Sequence, residues 1–348
     1  MSASPSPFLR PSNPSAQQAA RRRVLRRRRA LAVTFAFLLA AIAVAGAVLG
    51  GGGRPDAQAV APGAGGANPA AATAGQPANG PLTTPPGGGL VDLEIDAGDD
   101  AVKFDSRKPP KAGLLIDVDS GEVLWRRRAA DVRPVASLTK MMTAMVAVQR
   151  LEADDDAKIT EEVLAYSGSG VGVLPRGKRV PVEGLLYGLM LPSGNDAARA
   201  LAIRATGSQR RFVAAMNAQA QAWGLSCTSF ASVEGLSERN RSCAADLAAM
   251  GSRLLAEPRL AEIVGTRRAE VPFPIEGGRL FLNNNNPLLR GEYRGTIGVK
   301  TGYTREAGRS LVAAAERGDE RLLVVLLDSY DPGRQAEQLL DRGFKARD

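Results

Sequence analysis

The sequence predicts an α+β fold, in which one antiparallel sheet is built from both ends of a domain, flanked by helices, and carries an inserted helical lobe. Short apolar runs bounded by turn residues predict strands near both ends of residues 103–348. Apolar residues at helical spacing fill most of residues 160–255 between them. Strands that are distant in the chain must therefore pair around the helices.

The elements follow in order along this domain. Residues 112–127 are two apolar runs around the turn Asp119–Gly121, which predicts a β-hairpin. A helix is predicted from Ser137 to about Leu151, at the apolar stretch SLTKMMTAMVAV. Three strands are predicted at 295–302, 309–317 and 321–329, and a last helix at 333–344.

The basic charge of the chain is concentrated near its N-terminus. The 348 residues carry a formal net charge of +9, and residues 1–60 hold nine arginines and a single acid, Asp56, which accounts for +8. The rest of the chain is nearly neutral. We therefore expect no nucleic-acid partner for the folded domain.

An uncharged run of 21 residues, 30–50, directly follows seven arginines between Arg21 and Arg29. The run is long enough to span a bilayer as a helix, and arginines hold their end in the cytoplasm. We therefore predict a basic cytoplasmic segment at 1–29, a transmembrane signal anchor at 30–50 and a single-pass protein of the cell membrane with its domain outside. A cleaved signal peptide and secretion are the alternative, because AQA at 57–59 resembles a cleavage site.

Residues 51–102 are rich in glycine, alanine and proline, as in APGAGGANPAAATAG. Such a composition buries too little apolar surface to order itself, so a disordered linker is predicted there, with the folded domain at 103–348. The chain has two cysteines, Cys227 and Cys243. Outside the membrane such a pair forms a disulfide, and two buried free thiols are the alternative.

The pair Ser137 and Lys140 lies at the start of the predicted apolar helix. A lysine among Leu138 and the residues MMTAMVAV is expected to be buried, which favours its neutral form. A neutral amine one helical turn from a hydroxyl can take the proton of that hydroxyl. The chain contains no histidine, so a Ser-His-Asp triad and a histidine-dependent zinc site are excluded. An ordinary helix cap and a solvated lysine are the alternative for this short pattern alone.

Two further short motifs carry polar side chains. Ser193 and Asn195, in LPSGNDAA, offer a hydroxyl that can relay a proton and an amide that can hold a substrate carbonyl. Taken alone, they read as a loop and a helix cap.

The other motif is Lys300, Thr301, Gly302 and Tyr303, at the end of a predicted strand. Lys300 and Thr301 can meet a carboxylate, and Gly302 on an edge strand lets a substrate backbone approach. The Tyr303 N–H can stabilise an oxyanion together with the N–H of Ser137.

The three motifs S-x-x-K, S-G-N and K-T-G, in this order, resemble those of the low-molecular-mass penicillin-binding proteins, the serine-type D-alanyl-D-alanine carboxypeptidases. The likeness covers about residues 108–345 and includes ASLTKMMTA, NNNNPLL, GVKTGYTREAG and LLDRGF. It implies a fold of the β-lactamase/transpeptidase type. One departure is ASVEGL at 231–236, where relatives often show Asn-Pro-His-Gly-Leu or similar.

The resemblance also implies roles. Ser137 is the nucleophile of an acyl-enzyme, Lys140 its general base, and Ser193 relays protons. Asn195, Lys300, Thr301, Gly302 and Tyr303 bind substrate. The implied substrate is the peptidoglycan stem peptide ending in D-Ala-D-Ala, β-lactams are implied inhibitors, and no metal or organic cofactor is implied.

Three alternatives remain open at this point. A β-lactamase on this fold needs rapid deacylation, which class A enzymes assign to a separate glutamate. A D,D-endopeptidase acting on cross-links uses the same motifs. A non-catalytic envelope scaffold is the third alternative, and the intact motif residues argue against it.

Overall fold

A computed structural model describes residues 100–347 of the chain. The predicted basic segment, the predicted anchor and the predicted linker up to residue 99 lie outside the described residues. Nothing in the range 100–347 is a helix long and apolar enough to cross a membrane.

Eleven strands are described within residues 100–347, most of them short. In chain order they are β1 (Ala112–Asp117), β2 (Val123–Arg127), β3 (Arg133–Pro134), β4 (Asp156–Lys158), β5 (Arg179–Pro181), β6 (Arg241–Ser242), β7 (Arg268–Pro272), β8 (Arg279–Asn283), β9 (Thr296–Thr304), β10 (Gly308–Arg317) and β11 (Glu320–Leu327).

The described helices lie mostly between the first and last strands. They are α1 (Thr139–Val148), α2 (Glu161–Leu164), α3 (Val182–Met190), α4 (Asn195–Thr206), α5 (Gln209–Ala222), α6 (Ala244–Ala256), α7 (Pro258–Gly265), α8 (Pro287–Arg290) and α9 (Pro332–Arg347).

Five strands form the central sheet, in the order β2-β1-β11-β10-β9, and every neighbouring pair is antiparallel. The first two strands come from the start of the domain and the other three from its end, as the sequence predicts. Because β10 pairs with β9 and no described strand pairs with the other side of β9, that strand is an edge of the sheet within residues 100–347.

Both faces of the sheet are covered. Leu114 and Ile116 of β1 belong to the apolar cluster shared with the helical lobe, whereas Leu115 packs into a second cluster with Leu340 and Phe344 of α9. Side chains alternate across a strand, so adjacent residues enter different cores. This explains why the central strands read as continuous apolar runs rather than as alternating ones.

The structure departs from the predicted elements in a few places. Ser137 lies in a single 3₁₀ turn, Ala136–Leu138, and the α-helix begins only at Thr139 and ends at Val148. The hairpin β7–β8 was not predicted, although buried Leu280 and Leu282 alternate with exposed Phe281.

Residues just before the predicted boundary at residue 103 contact β2. Asp100 pairs with Arg126 at 2.7 Å, and the N–H of Val102 donates to the carbonyl oxygen of Leu124 at 2.9 Å. Asp100 and Val102 are thus attached to β2, and the predicted linker before them stays a prediction.

Cys227 and Cys243 are joined in a disulfide, with Sγ atoms 2.17 Å apart and Cα atoms 5.5 Å apart. The bridge closes the segment between α5 and α6. The Asp246 carboxylate accepts hydrogen bonds from Cys227 N at 2.9 Å and Thr228 Oγ1 at 2.7 Å, which fixes one end of this segment.

Candidate active site

Ser137 and Lys140 are in hydrogen-bond contact at the start of α1. Lys140 Nζ lies 2.9 Å from Ser137 Oγ. The 3₁₀ turn before α1 places the serine one turn ahead of the lysine, and no side-chain cap hydrogen bond is made at this helix start in the described structure. Ser137 is thus not a helix cap, and its hydroxyl remains available to Lys140.

Lys140 is fully buried, with 0% of its surface exposed, as the apolar helix predicts. Besides Ser137, its amine contacts two acceptors, Asn195 Oδ1 at 2.7 Å and the carbonyl oxygen of Glu234 at 2.7 Å. Asn195 Nδ2 donates to the carbonyl oxygen of Ser167 at 2.6 Å, so the amide presents its oxygen to the lysine.

These contacts suit a neutral amine that acts as a base. A neutral amine has two N–H donors and one lone pair. The Asn195 and Glu234 oxygens can only accept, so they take both donors. The lone pair is then left for the proton of Ser137, which is the geometry required for general-base activation of a hydroxyl.

Electrostatics favour this protonation state. Burial lowers the pKa of Lys140 well below its ordinary value, and the charge of Lys300 lowers it further, while Glu234 and Asp196 act in the opposite direction. Burial also lowers the pKa of Lys300 to about 7. Two desolvated lysines therefore share one site, and the charge of Lys300 disfavours the ammonium form of Lys140.

Lys300, Thr301, Gly302 and Tyr303 all lie on the edge strand β9. Lys300 is 1% exposed, and its Nζ donates to the carbonyl oxygen of Thr301 at 3.0 Å. Tyr303 is 68% exposed. An exposed edge with a buried cation is suited to an extended peptide that adds to the sheet and ends in a carboxylate.

The close packing of β9 is a second reason for a glycine at position 302, besides the predicted approach of a substrate. A Cβ atom at this position would lie 3.0 Å from the carbonyl oxygen of Val135 and 3.2 Å from the nitrogen of Leu138. Gly302 therefore lets β9 pack directly against the turn that carries Ser137. This contact brings the K-T-G strand and Ser137 into one site.

Ser193 is placed differently from the other motif residues. It precedes α4 with a positive φ of 69°, an uncommon conformation for a residue with a side chain. Its hydroxyl is buried, and no group within residues 100–347 hydrogen-bonds to it. The structure thus unites Ser137, Lys140 and Asn195 in one network but leaves the Ser193 hydroxyl outside it.

The segment 231–235 is a part of the site that the three motifs do not include. The N–H groups of Ala231 and Ser232 both donate to Asn240 Oδ1 at 2.9 Å. Thr143 Oγ1 of α1 donates to the carbonyl oxygen of Val233 at 2.6 Å. These bonds, with that from Lys140 to Glu234, fasten the segment to the helix that carries Lys140.

Gly235 continues this segment with φ of 91°, and a Cβ atom there would lie 3.0 Å from the nitrogen of Ser137. The glycine therefore allows the segment to rest on the peptide that precedes the nucleophile. The letters V-E-G between predicted helices form no recognisable catalytic motif. The only sequence signal for this segment is that it departs from the family pattern.

Potential metal ligands cluster at one place in the described part of the chain, at Cys227, Cys243 and Asp246. The two sulfur atoms form the disulfide, and the carboxylate accepts hydrogen bonds from Cys227 and Thr228. Disulfide sulfur atoms are not the thiolates that bind metal ions. The expectation that no cofactor is needed stays a prediction.

A serine activated by a buried lysine, beside a strand suited to a peptide carboxylate, defines a serine–lysine acyl-transfer site. Residues 105–331 match the family model of Peptidase S11, described as D-alanyl-D-alanine carboxypeptidase. The chain belongs to this family. The predicted relationship to the low-molecular-mass penicillin-binding proteins is confirmed.

Curated relatives agree with this assignment. D-alanyl-D-alanine carboxypeptidase DacF of Bacillus subtilis is 33% identical over 243 residues, which are 67% of this chain and 62% of the relative. DacA of Escherichia coli K12 is 38% identical over 248 residues, 67% of this chain and 60% of the relative. The chain thus spans about three fifths of the length of these two proteins.

Solved structures share the fold. A D-alanyl-D-alanine carboxypeptidase from Mycobacterium tuberculosis superposes with a TM-score of 0.66 at 32% identity, covering 70% of this chain and 94% of that one. A mutant of the Streptomyces K15 DD-transpeptidase superposes with a TM-score of 0.64 at 31% identity, covering 69% of this chain and 100% of the other. The predicted fold of the β-lactamase/transpeptidase type is confirmed.

Proposed function

We propose that the chain is a serine D-Ala-D-Ala carboxypeptidase that removes the terminal D-Ala from peptidoglycan stem peptides through an acyl-enzyme. The observation that carries the proposal is the 2.9 Å contact between Ser137 Oγ and the buried Lys140 amine. Two acceptors occupy the N–H donors of the neutral amine, so its lone pair can take the serine proton.

The reaction follows from these groups. Ser137 Oγ attacks the carbonyl carbon of the penultimate D-Ala while its proton passes to Lys140. The N–H groups of Ser137 and Tyr303 stabilise the oxyanion that forms. The C–N bond then breaks, and the proton that Lys140 took from Ser137 passes to the leaving amine, with the Ser193 hydroxyl as the candidate relay. Water hydrolyses the ester of Ser137 and releases the shortened peptide.

The substrate carboxylate has a matching group in Lys300. Lys300 is 1% exposed and has no ion-pair partner in residues 100–347. A bound anion would stabilise its charged form strongly, because the anion compensates for the lost hydration. Thr301 adds a hydroxyl, and the edge of β9 offers unpaired backbone groups to an extended peptide. β-Lactams, which mimic the dipeptide, acylate the same serine.

The experiment is to incubate the soluble domain with a pentapeptide ending in D-Ala-D-Ala and, separately, with fluorescent penicillin. We expect release of free D-Ala and a stable covalent adduct on Ser137. Rapid turnover of nitrocefin would instead indicate a β-lactamase. A protein that neither releases D-Ala nor binds penicillin would be a scaffold, and the proposal would be wrong.

Transfer to an amine acceptor is a second candidate, since one of the similar structures is named as a DD-transpeptidase. The same acyl-enzyme would then react with an amino group instead of water. Adding a D-amino acid or a second stem peptide to the assay separates the outcomes. New peptide bonds indicate transpeptidation, and cleavage of a purified cross-linked dimer indicates endopeptidase activity.

The location of the enzyme is a further part of the proposal. Residues 30–50, preceded by arginines, would anchor it in the cell membrane with the domain outside. Cell fractionation of the full chain and of a form lacking residues 1–99 tests this. We expect the full chain in the membrane fraction and the short form in the soluble fraction. Mature protein that begins after AQA at 57–59 would show a cleaved signal peptide.

A further inference from the structure

Glu234 contacts the catalytic lysine through its backbone and carries a buried carboxylate on the same residue. Its carbonyl oxygen lies 2.7 Å from Lys140 Nζ, and its side chain is 5% exposed. One carboxylate oxygen, Oε2, is buried and has no partner among residues 100–347. None of the three motifs includes this residue, and it stands in the segment where the chain departs from its family.

Arg199 is the partner of the other carboxylate oxygen. Its Nη2 lies 3.2 Å from Glu234 Oε1, and its Nε lies 3.4 Å from the same atom. The Arg199 side chain is partly buried, with 18% of its surface exposed. Arg199 stands four residues after Asn195 in α4, so both side chains project from one face of this helix.

The same arginine also holds the segment after α2. Its Nη1 donates to the carbonyl oxygens of Ala165 and Glu162. Two residues further, the carbonyl oxygen of Ser167 accepts from Asn195 Nδ2 at 2.6 Å. Arg199 therefore connects the two backbone segments that fix the acceptors of Lys140, one through Glu234 and one through the orientation of Asn195.

We propose that Arg199 and Glu234 are positioning residues for acyl transfer, whose partly buried ion pair holds the Glu234 carbonyl against Lys140 and places a compensated negative charge beside its amine. The inference rests on the proposed roles of Ser137 and Lys140. It assigns a function to the V-E-G segment that the family motifs leave without one.

Three charged groups act on Lys140 from the surrounding elements, and Arg199 pairs with one of them. Lys300 of β9 lowers the pKa of Lys140, whereas Glu234 and Asp196 raise it. The Asp196 carboxylate is already engaged by the N–H groups of Val171, Gly172 and Ala197. Arg199 neutralises part of the Glu234 charge, so the pair limits how strongly the ammonium form of Lys140 is stabilised.

If the pair acts on Lys140 in this way, breaking it should shift the pH dependence of the acylation rate. A purely structural role would not produce such a shift. Glu234→Gln removes the negative charge and leaves Arg199 unpaired, and both changes disfavour the ammonium form of Lys140. The acid limb of the acylation rate should move to lower pH, on the order of one pH unit. The maximal rate should fall as well, because the carbonyl that orients Lys140 loses its support.

The experiment measures the second-order rate of acylation by fluorescent penicillin across pH for the full chain and its variants. Glu183→Gln is the matched control, because it breaks another partly buried arginine–glutamate pair, Arg259–Glu183 at 2.7 Å, which has no bond to the site residues. Its profile should coincide with that of the parent. Glu234→Asp, which keeps the charge, should keep the parent's acid limb even where its rate is lower.

The outcomes separate the inference from the proposed function. A parent protein that penicillin does not acylate would overturn the proposed function. A normally acylated parent with an unshifted Glu234→Gln profile would overturn the inference alone. If circular dichroism shows that Glu234→Gln is unfolded, Arg199→Gln tests the same pair, and the expected pH shift is then in the opposite direction. Its acid limb should move to higher pH, and an unshifted limb would overturn the inference.

Discussion

The positive charge of Lys300 lowers the pKa of Lys140, and both side chains are buried in the same site. The first lysine is suited to bind a carboxylate only when charged, and the second can accept a proton only when neutral. Burial lowers the pKa of Lys140 well below its ordinary value and that of Lys300 to about 7. Near neutral pH the site can therefore hold a neutral Lys140 beside a charged Lys300. This division of roles leads to the first prediction.

The kcat/KM for a D-Ala-D-Ala peptide should fall as pH rises through about 7, the value to which burial lowers the pKa of Lys300. Above it the free enzyme loses the cation that binds the substrate carboxylate. Bound carboxylate raises the pKa of Lys300, so the fall in kcat should come at higher pH. Steady-state kinetics across pH test both parameters, with a peptide amidated at its C-terminus as control. An identical alkaline limb for the amide would contradict the role of Lys300.

Lys300→Met should make the folded domain more stable while abolishing carboxylate binding. The pKa of Lys300 is about 7 in the folded state, against about 10.4 for an unfolded lysine, so between these values the unfolded chain binds more protons. Parent stability should therefore rise with pH from about 7 to about 10, and the methionine variant should gain a few kcal/mol at neutral pH. Urea unfolding at several pH values checks this. Parallel pH dependences for both proteins would count against it.

Ser137→Ala should abolish both D-Ala release and penicillin labelling without unfolding the domain. Its hydroxyl bonds to Lys140 and caps no helix, so the fold does not depend on it. Mass spectrometry of the protein after exposure to penicillin gives the measurement, and near-ultraviolet circular dichroism checks the fold. Labelling that persists in the alanine variant would place the acylated nucleophile elsewhere.

Much of the fold was predictable because the central strands are continuous apolar runs. The hairpin β1–β2, the strands β9–β11 and the last helix lie within a few residues of the predicted positions. The hairpin β7–β8 has one clear alternating strand, around Phe281, and it packs beside the lobe rather than in the central sheet. Both of its strands are only five residues long, so neither gives a strong strand signal in the sequence.

The candidate site was predictable where a side chain carries the chemistry. Ser137, Lys140 and Lys300 fall in short motifs whose order in the chain is informative. Glu234 holds Lys140 through a backbone carbonyl, which every residue possesses, and its partner Arg199 is 35 residues away in the chain. Neither the composition nor the spacing of a sequence indicates such a contact, because it forms only when α1, α4 and the segment 231–235 pack together.

Removing the disulfide by replacing Cys227 and Cys243 with alanine should lower the free energy of unfolding by roughly 3 kcal/mol. The two residues are 16 apart in sequence, and the chain-entropy model gives about this value for a closed loop of such a length. The closed loop contains the segment 231–235, which packs on α1. Urea unfolding of the oxidised parent and the double variant gives the difference, and non-reducing peptide mapping verifies the link. Equal stabilities would contradict the prediction.

Lys140→Arg should be nearly inactive although it keeps the positive charge. The base must be neutral to take the proton of Ser137, and burial makes this possible for Lys140 by lowering its pKa. A guanidinium stays protonated in proteins, so arginine offers no lone pair. It is also larger, and Lys140 is fully enclosed between Asn195 and Glu234.

Loss of a general base reduces rates by about a hundred-fold to ten-thousand-fold, and we expect the acylation rate with penicillin to fall within that range. Stopped-flow measurement on both proteins provides the comparison, after circular dichroism has shown that each is folded. Lys158→Arg, at an exposed position in β4, is the control for the substitution itself and should react like the parent. If the Lys140→Arg variant acylates within a few-fold of the parent, Lys140 is not the base, and the buried hydroxyl of Ser193 becomes the group to test in its place.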